Sequence, residues 1–121
     1  ANQLIAGFII GGDTPKTVLV TARGQSVAVL DSEKPLLMAD PMLTIYSGAT
    51  PVYVNDDWQS ATTVTAGWGA VLDPNAIPQT QKPGHPKDAA LLVTLPPGAY
   101  TAIVSGVANG EGIGIVEVFA Q

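Results

Sequence analysis

The sequence predicts an all-β fold, an antiparallel, jelly-roll-like β-sandwich of about eight strands, in one domain spanning residues 1–121. Three observations carry that expectation. Short apolar stretches rich in Val, Ile and Thr recur along the chain. Thirteen Gly and ten Pro are spread between them and cut the chain into pieces too short for long helices. A length of 121 residues suffices to bury one core but not two.

The elements follow in order. Leu4 to Ile10, LIAGFII, is a nearly continuous apolar run stopped by Gly11-Gly12-Asp13. It suits a strand buried on both faces; a helix is the rival, set aside because the run is short and β-branched. Lys16 to Arg23 alternates Val18, Val20 and Ala22 against Thr17, Leu19 and Thr21, as a second strand between Pro15 and Gly24. Ser26 to Leu30 is a shorter candidate, followed by a polar loop through Pro35. Met42 to Ser47 and Val52 to Asn55 read as a hairpin around Gly48-Ala49-Thr50-Pro51. From Gln59 to Asp88 four prolines break the pattern, with Thr62 to Ala66 a short strand candidate; a loop of this length is usually functional or covers an edge. Strands resume at Ala89 to Leu95, Ala99 to Ser105 and Gly112 to Phe119. Asn109-Gly110 between the last two suits a tight turn, so these strands are expected to pair with each other.

Composition narrows function. Hydrophobic residues are 46% of the chain and charged ones 12%, about half the usual share, which argues against disorder and leaves a surface poor in charge. Five basic residues against ten acids give a net charge of −5, with no basic stripe, so nucleic acid is not expected as a partner. No apolar run approaches the roughly 18 residues of a membrane span, and no membrane insertion is expected. The absence of cysteine removes disulfides, thiolate chemistry and Cys-based zinc sites, and leaves secretion open. The start at Ala1-Asn2-Gln3-Leu4 has no basic or long apolar leader, as if an export signal had been removed or were never present.

Two stretches carry a family likeness: ADPMLTIYSGATPVYVNDDW (Ala39 to Trp58) and DAALLVTLPPGAYTAIVSG (Asp88 to Gly106). They resemble bacterial pre-peptidase C-terminal domains, small β-sandwiches with an Asp-Pro-x-Leu-x-Leu-Tyr strand, an Asn-Asp-Asp turn and a Leu-Pro-x-Gly-x-Tyr-Thr strand entry. LIAGFIIGG, KTVLVTARG and GIVEVFA are similar to the flanks of a β-sandwich module of large bacterial surface proteins. The resemblance covers most of the chain outside residues 59–87. It implies an exported accessory or structural domain and says little about a ligand. It also implies an extended segment with a Ser-Thr-Arg-type motif ahead of Leu4, whose place is expected to be open or filled by a neighbour.

Catalytic candidates are few, and no enzyme activity is expected. His85, the single histidine, sits in Pro83-Gly84-His85-Pro86 and reads as a solvent turn. Gly24-Gln25-Ser26-Val27-Ala28 departs from a nucleophile elbow at its last residue, and Ser26 reads as a turn or strand residue. Asp56-Asp57, with Asn55 and Asp40, offers hard oxygen ligands for Ca2+, the one cofactor candidate; the plainer reading makes them turn formers. Trp58 and Trp68, flanking the irregular loop, are candidate contacts for a glycan or surface protein; Tyr46, Tyr53 and Tyr100 could join them in a sugar-stacking platform, although Tyr46 and Tyr100 lie in strands and are expected in the core.

The strongest anomaly is LIAGFII itself. Leu4, Ile5, Phe8, Ile9 and Ile10 form an uncharged, Pro-free β segment that aggregates if its edge stays unpaired. The chain can bury it centrally or give it to a neighbour, as in donor-strand complementation. The expected function is a structural subunit of an extracellular or cell-surface filament, sheath or matrix, partnered by other copies of itself. The alternative is a glycan- or protein-binding accessory module.

Overall fold

The computed structural model describes residues 3–24, 38–60, 62–106 and 114–121. Eight strands are found there: β1 (Leu4–Ile10), β2 (Lys16–Arg23), β3 (Pro41–Ser47), β4 (Thr50–Asn55), β5 (Thr63–Val64), β6 (Ala89–Leu95), β7 (Gly98–Gly106) and β8 (Ile115–Ala120). They form two antiparallel sheets, one ordered β1-β7-β3-β4-β5 and the other β6-β2-β8. The expected all-β sandwich is therefore the fold. The Ser26 to Leu30 candidate, Ser26 itself and the Asn109-Gly110 turn lie outside the described residues.

The main core lies between the sheets. Alternate residues of β3 and β7 (Leu43, Ile45; Tyr100, Ala102, Val104) meet Val18, Val20 and Ala22 of β2 and Leu91, Val93 and Leu95 of β6. A second cluster of Leu19, Ala90, Leu92 and Ile77, flanked by Trp58 and Phe119, sits on the other side of β2 and β6. Segment 59–87 builds that outer layer. Two short 3-10 turns, Pro74–Ala76 and Gln79–Gln81, shape it, and the N–H of Leu72 donates to the Leu92 carbonyl at 2.8 Å on the β6 edge. Arg23 ties the layer down: its guanidinium pairs with Glu117 at 2.7 Å and donates to the carbonyl of Gln81 at 3.2 Å. The long irregular loop thus covers both an edge and a face of the smaller sheet.

Two expectations are overturned. β1 is not buried on both faces; among the described residues it ends its sheet, and it alternates, with Ile5 64% and Ile9 78% exposed. The strands buried on both faces are β2 and β6, because segment 59–87 packs over them. The second correction concerns the last two strands, which do not pair with each other. β7 has one edge on β1 and the other on β3, whereas β8 pairs with β2 in the opposite sheet. The β3–β4 hairpin does form, and tightly: Gly48 takes a φ of 60° and the strand resumes at Thr50. The register shifts between Ile45 and Tyr46, opposite Pro51, which has no N–H to give a ladder.

Candidate functional site

The exposed side of β1 is the first candidate. All seven residues pair with β7, from Leu4 opposite Val104 to Ile10 opposite Gly98. Among the described residues its other edge has no strand partner. Phe8 and Ile10 face inward, and Phe8 stacks on Tyr100 with ring centroids 5.6 Å apart. Ile5 and Ile9 face water. Of the five expected assembly residues, Leu4, Phe8 and Ile10 therefore hold the strand to its own domain, and Ile5 and Ile9 are presented outward. The linker to β2, Gly11 to Pro15, is exposed throughout, with Gly12 at a φ of 81°.

The second candidate is the acidic turn. Pairing of Leu43 with Asn55 brings the start of β3 beside the end of β4, and so Asp40 beside Asp56 and Asp57. One carboxylate oxygen from each of the three lies within 4.8 Å of the others. The Oδ1 atoms of Asp40, Asp56 and Asp57 are each buried and have no hydrogen-bond partner among the described residues. Burial, and then the neighbouring Asp56, push the Asp40 carboxyl above its ordinary range; Lys87, with Nζ 3.8 Å from Asp40 Oδ2, pulls the other way. Such crowding is relieved by a proton held on the cluster or by a hard cation. Asn55 is used differently. Its Nδ2 donates to the Asp57 carbonyl at 3.0 Å and to Thr62 Oγ1 at 3.2 Å, and its Oδ1 accepts from the N–H of Ala90 at 3.1 Å. It shapes the turn and docks it on β6.

The tryptophans are separated. Trp68 stands edge-on to Tyr53 and Tyr100, at 6.2 and 6.1 Å, and packs against the main core. Trp58 packs against the second cluster and lines a shallow cleft with His85 and Pro86. Both are half-buried and share no stacking surface. The hydroxyls of Tyr53 and Tyr100 donate to the carbonyls of Gly69 and Pro96, and burial pushes both phenols above their ordinary value. His85 Nδ1 accepts from the N–H of Lys87 within its turn, at 3.1 Å.

Two features escaped sequence reasoning. Asp88 is buried and accepts from the N–H of Gly24 at 2.9 Å, fixing the end of β2 to the start of β6. A cleft also opens between β1, β2 and β8, with Lys16 at its rim. Neither has a local signal, because the residues involved are far apart in the chain. Comparison with protein families, with curated proteins and with solved structures found no match.

Proposed function

We propose that this domain is a non-catalytic structural subunit of an extracellular filament, sheath or matrix, whose copies join by β-strand exchange through β1. The observation that carries this reading is β1: an uncharged, apolar edge strand with Ile5 and Ile9 in water, joined to the rest by an exposed Gly-Gly linker. On its own β7 it makes the contacts it would make on a neighbour's β7. Exchange therefore keeps every β1–β7 pairing, and a head-to-tail exchange repeats without closing unless its rotation forms a ring. The resemblance to bacterial surface modules supports the exported setting, and the low charge lets copies approach with little repulsion. Sedimentation and electron microscopy of the purified chain test it: large ordered species should form without added ligand, and a persistent monomer at high concentration would reject it.

A second reading has its own observation. The three buried carboxylate oxygens without donors favour Ca2+ binding at Asp40, Asp56 and Asp57, which would pin the β3–β4 hairpin to the turn after it. The glycan- or protein-binding alternative keeps Trp58 as its contact.

A further inference from the structure

We propose that the cleft between β1 and the β2–β8 edge binds a free long-chain carboxylate. The cleft has a volume of about 580 Å3, within the roughly 300–1,000 Å3 of small-molecule sites. Phe8 and Ile10 of β1, Val18 of β2, and Val118 and Ala120 of β8 line it. Because β1 belongs to one sheet and β2 and β8 to the other, the cleft lies on a flank of the sandwich, between its two sheets. Val118 shows the consequence: it is 36% exposed, while Val20, its partner across the ladder, is fully buried.

Charge selects the occupant. Among the described residues, Lys16 is the only one lining the cleft with a charged side chain. Its Nζ donates to the Gly11 carbonyl at 2.8 Å, and among the described residues no carboxylate lies within ion-pair distance of it. A trough lined by apolar side chains together with Thr17 and Gln121, with one ammonium at its rim that has no carboxylate partner among the described residues, complements an acyl tail with an anionic head. A neutral tail would leave the ammonium unused, and a cationic amphiphile would be repelled. The chain's net charge of −5 disfavours a carboxylate over the acidic surface, so Lys16 also fixes which way the ligand lies. The site uses the inward side of β1 and goes beyond the assembly reading.

Titration calorimetry of the full chain with decanoate and dodecanoate, below their micellar concentrations, tests this. Saturable one-to-one binding is expected, strengthening up to about fourfold per added methylene. Lys16→Ala should weaken it about fivefold, and Ala120→Trp, at an exposed position, should block it while circular dichroism reports a folded chain. Should Ala120→Trp fail to fold, Lys16→Glu serves in its place and should abolish binding. The proposal is overturned by absence of saturable heat, by dodecylammonium binding as well as dodecanoate, by affinity independent of tail length, or by binding that requires vesicles.

Discussion

Calcium should raise the melting temperature of this domain by an amount that can be worked out beforehand. Extracellular calcium modules have dissociation constants of about 0.1–1 mM. At about 10 mM Ca2+, binding to the native state alone then stabilises by about 1.4–2.7 kcal/mol. Unfolding entropy near 2.1 cal/mol/K per residue gives about 0.25 kcal/mol/K for 121 residues, so the midpoint should rise by about 5–11 °C. The assay is differential scanning calorimetry at neutral pH with and without the ion, repeated on Asp56→Ala. That variant removes one of the three donor-free oxygens and should lose the gain. A shift absent from the wild-type chain, or equal in the variant, would refute the reasoning and leave the three aspartates as turn formers.

The same cluster makes a pH prediction. Without divalent cations, stability should fall as pH rises from the ordinary carboxylate range through the raised Asp40 value, because there the folded state keeps a proton that the unfolded state has released. Asp40→Asn should flatten that slope in urea titrations at several pH values and stabilise the chain at neutral pH; an unchanged slope would assign the titration to another group. Gly24→Ala drives a Cβ into the Met38 carbonyl oxygen and disturbs the hydrogen bond to Asp88. Overpacking of about 1–3 kcal/mol and a charged hydrogen bond of about 1.5–3 kcal/mol together predict a loss of several kcal/mol in chemical denaturation, and a loss below about 1 kcal/mol would contradict the close approach.

Much of the fold is legible because strand-forming residues and turn breakers act locally. β1, β2 and β6 have the bounds read from the sequence. Pairing is not local, which is why the last strands were misassigned to each other: a favourable turn dipeptide cannot reveal that β1 and β3 already occupy both edges of β7. Burial fails for a related reason. LIAGFII is the more continuously apolar run, yet KTVLVTAR is enclosed on both sides because a distant proline-rich segment covers it. The acidic cluster was readable, since one hairpin brings its members together. The use of Asn55 was not, because its partner Ala90 lies 35 residues away.

The central claim, exchange of β1 between copies, can be tested by cross-linking in a chain that has no cysteine of its own. Gly7 and Thr101 are opposite one another on β1 and β7, and a Cβ on Gly7 would meet nothing closer than 3.9 Å. In Gly7→Cys/Thr101→Cys, oxidation of dilute monomer should lock β1 to its own β7, and sedimentation velocity should then show a species that no longer assembles. Oxidation of already assembled material should instead give a ladder of covalently linked copies on a non-reducing gel. Assembly that persists in the locked monomer, or assembled material containing only intrachain disulfides, would contradict strand exchange.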